Sequence, residues 1–435
     1  MTGEKIAVIS LGCSKNLVDS ERLMRMLENV GYQVVEADDA FLRARKGKHV
    51  VINTCGFIGD AKEESINEIL GWAELRKAGK IQGLYVMGCL SERYAAELPA
   101  ELPEVDRWYG KTDWPALVTD LARKHPATAP YDRILTTPRH HAYLKIAEGC
   151  DRFCAFCAIP LITGRYKSRP VEEIIEEVKM LVGRGVKEFN VIAQDLTSYG
   201  KDLYGTPSIA RLVDAIADVE GVEWIRLHYA YPNEFPMDLL DVMASRPNVC
   251  RYLDIALQHI SDNVLSNMRR HITGAETRAL LAEIRKRVPG IHLRTTLMVG
   301  FPGEGEKEFD ELMDFVREQR FERMGAFAYC EEEDTYAARH FDDSIPDEVK
   351  QSRLARLMEL QEEISAGIQD TKVGSVQRVI IDREEPDYYV GRTQYDSPEV
   401  DPEVLVEKSV TLRPGEFCDV EITSSAPFEL IGRPV

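Results

Sequence analysis

Three cysteines fall within eight residues, Cys150, Cys154 and Cys157, in the stretch KIAEGCDRFCAFCAIP. At the spacing CxxxCxxC each thiolate can bind one iron of a 4Fe-4S cluster, which leaves one iron without a protein ligand. A cluster that only relays electrons normally has four cysteine ligands, so an open iron implies that a small molecule binds there. Competing readings are poorer. A zinc site usually draws four Cys or His ligands from paired short spacings, and no second pair lies at that distance. Disulfides persist in oxidising compartments, whereas the start MTGEKIAVISLGC is too short in its apolar run, and too charged, for a secretory signal. Buried structural thiols hardly account for three packed this closely.

A second set of thiols sits elsewhere. Cys13 ends the apolar run IAVISLGC, Cys55 ends HVVINTC and Cys89 ends LYVMGC. Each run reads as a buried parallel strand followed by a helix pattern. The three cysteines should therefore meet at the carboxyl edge of one sheet, where open α/β sheets place their ligands. Three thiols there make a second cluster site, again one ligand short. For any one of them alone the alternative is an ordinary core thiol.

The elements that must position these residues are legible in outline. The chain has 435 residues, 44% of them hydrophobic, enough for two to four domains. No apolar run approaches the ~20 residues that cross a bilayer, so we expect a cytoplasmic protein with no membrane partner. Residues 1–135 alternate strands with helices such as DSERLMRMLENVG, the pattern of a doubly wound parallel sheet. KHPATAPYDRILTTPRHH breaks that rhythm and marks a boundary. Over 136–368, AYLKIAE, EFNVIAQD, WIRLHYAY, YLDIALQH, HLRTTLMVG and MGAFAYC read as six strands with helices between them, one being VEEIIEEVKMLV with Ile174, Ile175, Val178, Leu181 and Val182 on one face. Six βα units make a partial barrel with its site at the carboxyl ends of the strands, and Cys150 directly follows the first. A charged helix from about Pro346 to Ile368 leads into 371–435, whose short alternating runs read as strands.

Weaker candidates accompany the cysteines. Phe156 lies between the last two of the close-set three. Gln194 with Asp195, Gln258 with His259, and Arg294 are expected at strand ends facing the cluster, as ligand contacts or as a satisfied polar rim. GFPGE at 300–304 lacks phosphate-loop spacing and reads as a tight turn.

LGCSKN, NTCGFI, MGCL and the EGCDRFCAFC block together resemble the methylthiotransferases of the radical S-adenosylmethionine (SAM) superfamily, over essentially the whole chain. That resemblance implies two 4Fe-4S clusters: one on Cys150, Cys154 and Cys157, whose open iron binds SAM, and an auxiliary one on Cys13, Cys55 and Cys89. It also implies that backbone at Phe156 contacts the adenine of SAM and that 371–435 form a small antiparallel β-barrel, the TRAM domain, which touches the macromolecular substrate; with SAM as the ligand, Gln194, Gln258 and Arg294 become cofactor-binding candidates by their expected strand-end positions. One SAM would give a 5′-deoxyadenosyl radical and a second the methyl group. An electron donor and a sulfur source are required.

Charge bears on the substrate. Residues 371–435 hold 7 Lys and Arg against 13 Asp and Glu, a net of 7 minus 13, or minus 6, and the whole chain carries minus 19. A module that grips tRNA should be basic, so the expected partner is positively charged. Within the family this favours the branch that modifies an aspartate in protein twelve of the small ribosomal subunit, and the assembled subunit is the expected partner. TPRHHAYLKIAEGC, YLDIALQHISDNVLSNMRR, RTTLMVGFPGE and TQYDSPEVD resemble that branch too. The alternatives are a tRNA adenosine methylthiotransferase and an iron-sulfur carrier or electron-transfer protein. The β-carbon hydrogen of an aspartate is not acidic enough for a general base near neutral pH; a primary carbon radical can take it. Cys330 stands where the resemblance leads us to expect serine and receives no role. Cys250 and Cys418 read as core thiols.

Overall fold

The computed structural model describes residues 3–44, 47–122 and 131–435. Residues 123–130, which include part of the expected first boundary, lie outside the described residues. The chain forms two compact units: one of Met1–Thr136, Glu148–Asp151 and Cys157–Lys167, the other of Thr137–Ala147, Arg152–Phe156 and Ser168–Val435.

The first unit is built on strands β1 (Lys5–Ser10), β2 (Gln33–Val35), β3 (Lys48–Thr54), β4 (Gly83–Gly88) and β5 (Arg107–Trp108), all parallel, in the order β2-β1-β3-β4-β5. Its strands are apolar on both faces, which is what a sheet covered twice requires. Ile6, Val51 and Met87 pack with Leu23 and Leu27 of the helix Ser14–Asn29 and Leu117 of Trp114–Ala122. Ala7, Val50, Ile52, Leu84 and Val86 face the other way, onto Ile69 and Trp72 of the helix Gly59–Lys77. Successive side chains alternate faces, so the pattern confirms the double winding.

In the second unit, β6 (His141–Lys145) leads into the loop of close-set cysteines, which is flanked by two-residue strands β7 (Ala147–Glu148) and β8 (Lys167–Ser168). Then follow β9 (Glu188–Ile192), β10 (Trp224–Ala230), β11 (Val249–Ile255), β12 (His292–Val299) and β13 (Arg323–Ala328). The sheet is parallel throughout, in the order β13-β12-β11-β10-β9-β6, so all six expected strands are present and neighbours in sequence are neighbours in space. The helix Val171–Gly183 buries Ile174, Val178 and Leu181 as its spacing required.

A long helix, Asp347–Asp370, starts directly after Pro346 and leads to β14 (Val376–Glu384), β15 (Tyr388–Thr393), β16 (Glu403–Glu407), β17 (Phe417–Ala426) and β18 (Glu429–Pro434), a closed barrel in the order β14-β15-β16-β18-β17. Four of its pairings are antiparallel, but β16 and β18 run parallel. An odd-membered ring cannot alternate all the way round, so one parallel pair is the geometric condition for closure. Val379, Ile381, Val404, Val406, Val420, Ile422 and Leu430 fill it.

This barrel docks on the amino ends of the large sheet. Ile380 joins Trp224, Cys250 and Tyr252 in one apolar cluster, with Phe417 edge-on to Trp224 at 5.0 Å. Around it, Glu188, the first residue of β9, receives Arg392 at 2.7 Å and Arg226 at 3.0 Å, while Asp382 receives Arg392 at 2.7 Å and His140 at 2.8 Å. Burial alone would raise the Glu188 carboxyl; the two guanidiniums hold it far below the usual range instead. Asp396 pairs with Arg323 and Asp401 with Arg294. Part of the tail's acidity therefore faces inward, because charges at this depth persist only when paired.

Candidate functional site

The register of the first sheet sets its carboxyl edge level: Ser10 lies opposite Asn53, and Thr54 opposite Gly88. Cys55 and Cys89 each follow directly, and Cys13 caps the helix Ser14–Asn29. The three cysteines are thus brought to one edge as expected. Glycines allow the loops to close on one another. A Cβ on Gly12 (φ +83°) would stand 2.8 Å from the Cys55 Sγ, and one on Gly56 would stand 2.7 Å from the Leu90 backbone, beside Cys89. The left-handed φ of Gly12 adds its own restriction.

The thiols differ electrostatically. Burial pushes Cys89 up to about 12 and raises Cys55. Cys13 reaches solvent; desolvation by its surroundings would raise it, but Lys15, the Asn16 backbone N–H and Lys111 outweigh that and lower it. Lys111 is itself buried, with its Nζ 3.2 Å from the Asp19 and 3.6 Å from the Glu148 carboxylates. Burial opposes its charge, yet Asp19 and Glu148 keep it firmly protonated.

Asn16 joins these parts. Its Nδ2 donates to Leu11 O at 3.1 Å and Thr54 O at 2.9 Å, and its Oδ1 lies 3.6 Å from Cys89 Sγ and 3.5 Å from Lys111 Nζ. Asn53 in turn donates to Asn16 O at 2.9 Å.

Among the close-set cysteines, Cys150 donates its N–H to Gly164 O at 3.2 Å, and the preceding Gly149 (φ +80°) has no room for a Cβ, which would meet Arg165 O. Within that same unit Cys89 packs on Ala158 and Ile162, immediately downstream of Cys157, while Glu148 stands two residues before Cys150. The surroundings of Cys150 and Cys157 therefore abut those of Cys89 and Lys111.

Cys154 belongs to the second unit. Its sulfur lies 3.2 Å from the Arg270 guanidinium and 3.6 Å from the Tyr231 hydroxyl. Arg270 and Arg152 both lie against the Tyr231 ring, at 4.0 and 4.2 Å from its centre. Asp195 fixes Arg152 at 2.7 Å and itself accepts from Thr197 and Ser198. Arg270, Tyr231 and Arg152 were not singled out from the sequence, although Arg152 stands inside the cysteine block and was open to that reading.

The remaining candidates separate. Gln194 is half-buried just past β9. Gln258 has a left-handed backbone (φ +72°), bridges to Leu297 near the carboxyl end of β12, and carries a buried Oε1 without a hydrogen-bond partner. His259 is committed to structure: it accepts from the Ser261 N–H at 3.1 Å and faces Glu304 at 3.2 Å, which also receives Arg353. Glu304 closes the turn expected at GFPGE by accepting from the Gly300 N–H at 2.9 Å. Phe156 packs edge-on to Phe301 at 6.2 Å in an apolar cluster. Arg294 is placed differently from the expectation. It is the third residue of β12, toward the amino end, and is held by Asp401 at 3.3 Å; a strand of eight residues carries its earlier side chains far from its carboxyl end. Cys250 is buried, with its thiol raised to about 11 by burial, Cys418 is half-buried and Cys330 is exposed.

The donor set of the first sheet fits an iron-sulfur cluster in its chemistry: three thiols, each close enough to act electrostatically on another, with Cys13 and Cys55 both raising Cys89. Among the described residues, no group of three His, Cys, Asp or Glu side chains is arranged to hold a single metal ion. Also among the described residues, no helix is long and apolar enough to cross a membrane.

Three family models match: the radical SAM superfamily over residues 144–316, the uncharacterized protein family UPF0004 over 5–110 and the TRAM domain over 373–435. A protein of Phocaeicola vulgatus named ribosomal protein uS12 methylthiotransferase RimO is 59% identical over 99% of both chains. Proteins of the same name from Porphyromonas gingivalis and Christiangramia forsetii are 58% and 50% identical, covering 100% and 99% of this chain and 100% and 94% of their own. Among solved structures, the radical SAM methyltransferase TsrM of Kitasatospora setae, with cobalamin and a [4Fe-4S] cluster bound, is similar in fold at a TM-score of 0.57 and 16% identity, over 78% of this chain and 74% of that one. With the relatives matching it nearly end to end, the chain belongs to the family of the ribosomal protein uS12 methylthiotransferase RimO.

Proposed function

We propose that this chain transfers a methylthio group to the β-carbon of an aspartate in ribosomal protein uS12, with Cys150, Cys154 and Cys157 holding a SAM-binding 4Fe-4S cluster and Cys13, Cys55 and Cys89 an auxiliary one. In this reading 1–135 carry the auxiliary site, 136–368 the SAM chemistry and 371–435 the TRAM domain. The observation that carries it is the adjacency within the first unit: Cys89 rests on Ala158 and Ile162, and Lys111 reaches Glu148, so the surroundings of one three-cysteine set touch those of two members of the other. A sulfur-bearing group must stand close to where a carbon radical forms, because proximity supplies much of the rate of such a transfer.

When bound, the clusters supply reductive cleavage of SAM at one site and a place for the transferred sulfur at the other. The chain's own residues do the rest. Arg270 and Tyr231 surround the Cys154 sulfur with donors, Asp195 holds Arg152 against the same ring, and Gln258 offers an unmatched carbonyl oxygen at the carboxyl side of the sheet. The electron donor is a low-potential reductant, and the sulfur derives from sulfide or from the auxiliary cluster.

Product analysis tests this. Anaerobically reconstituted protein given SAM, a strong reductant and small ribosomal subunits should release both 5′-deoxyadenosine and S-adenosylhomocysteine, one for each role of SAM. Release of neither would mark a cluster carrier, and release with tRNA alone as acceptor would move the assignment to the adenosine modifiers.

A further inference from the structure

Among the groups that the cysteines alone do not explain, the side chain of Asn16 stands out for its reach. It is 1% exposed, and one amide touches all three cysteine-bearing loops of the first sheet. The donor side takes the carbonyl of Leu11, two residues before Cys13, and that of Thr54, directly before Cys55; the oxygen accepts from the Cys89 thiol, and once that thiol is a thiolate the Lys111 ammonium still holds the oxygen beside it. The orientation of the amide is fixed by chemistry. Two carbonyl oxygens can only be met by the NH2 end, and the Lys111 ammonium, anchored by Asp19 and Glu148, can only be met by the oxygen. Asn53 fastens the Asn16 backbone and Ser20 at once, so the amide is held from both ends.

We propose that Asn16, oriented by Lys111, is the positioning residue of the auxiliary site: it sets the relative placement of the loops that carry Cys13, Cys55 and Cys89, so that three thiolates from distant parts of the chain meet one cluster. Outer-shell groups at metal centres hold ligands in a productive geometry without binding metal themselves. The inference rests on the reading of Cys13, Cys55 and Cys89 as ligands.

The test uses the full-length chain with Cys150, Cys154 and Cys157 changed to alanine, so that iron and spectra report the auxiliary site alone. In this background, Asn16→Ala and Asn16→Asp are reconstituted anaerobically with iron and sulfide, and iron retention against a chelator is followed with the electron paramagnetic resonance signal of the reduced cluster. The expected result is iron loss at least about tenfold faster than in the parent, with an altered signal, while the metal-free proteins still unfold cooperatively, at a lower temperature because two buried carbonyls lose their donor. Equal retention and an identical signal would overturn the proposal. If the parent background itself binds no cluster, the ligand reading fails instead, and the proposal with it. Should Asn16→Ala and Asn16→Asp not fold, Asn16→Ser decides: one hydroxyl proton can keep at most one of the two carbonyl bonds, so retention between parent and cluster-free protein supports the role and parent-like retention refutes it.

Discussion

The Arg270 guanidinium stands 3.2 Å from the Cys154 sulfur while its plane lies over the Tyr231 ring, 4.0 Å from the ring centre. A buried cation that donates to a cluster thiolate favours the more negative, reduced state. Arg270→Met should therefore lower the midpoint potential of the SAM-binding cluster by about 60 mV, taking roughly 1.4 kcal/mol as the lost charge-assisted bond. With a limiting reductant, the fraction of cluster in the reduced state should fall by up to about tenfold for the same shift. A redox titration followed by electron paramagnetic resonance checks it; an unchanged potential would remove Arg270 from that role.

At the other end of the large sheet, Arg392 is the main counter-charge of the fully buried Glu188. Arg392→Met leaves that carboxylate with Arg226 alone and Asp382 with His140 alone. We expect a loss of about 3–5 kcal/mol in urea unfolding, with much of it recovered when Glu188 is replaced by Gln in the same chain. A loss below about 1 kcal/mol would show that the network adds little.

How much of this was legible beforehand follows from which interactions are local. Cys13, Cys55 and Cys89 were visible because each ends an apolar run, and the double winding because helix patterns follow each strand. The six strands of the second sheet were legible for the same reason. Asn16 and Lys111 were not singled out: they are 95 residues apart in the chain, and neither belongs to a periodic pattern. Arg270 and Cys154 are likewise separated by 116 residues. Arg294 was misplaced because an apolar run such as HLRTTLMVG shows that a strand exists but not which of its ends a polar residue serves. A count of charge, finally, does not tell paired from unpaired carboxylates.

Asp396 is buried against Arg323, so Asp396→Ala should destabilise the fold by about 3–5 kcal/mol through the stranded guanidinium. Asp387, Asp419 and Glu429 are exposed. Reversing those three to lysine should leave stability nearly unchanged and slow association with the small subunit at low salt by about tenfold, an effect that fades as salt rises. Stopped-flow binding at two salt concentrations measures it; faster association would contradict an acidic surface that steers a basic partner.

A pH dependence follows from His141. Burial lowers it to about 4, and Arg392 and His140 add to that, while Glu188 and Asp382 only partly oppose it. Below its unfolded value near 6.5 the unfolded chain takes up a proton that the folded chain refuses. The stability tied to His141 is thus present above about pH 6.5 and is lost as pH falls toward 4, by roughly 3 kcal/mol. His141→Gln should flatten the profile in that window, as urea midpoints between pH 7 and 4 would show; an unaltered slope would place the acid sensitivity elsewhere.

The account is tested most directly by mass spectrometry of ribosomal protein uS12 from intact small subunits, after anaerobic incubation with the reconstituted protein, SAM and a strong reductant. It predicts the mass gain of one methylthio group for hydrogen, on a single aspartate, lost when Cys13 or Cys154 is replaced by alanine. A uS12 of unchanged mass alongside abundant 5′-deoxyadenosine, or a methylthio group found on tRNA, would contradict it.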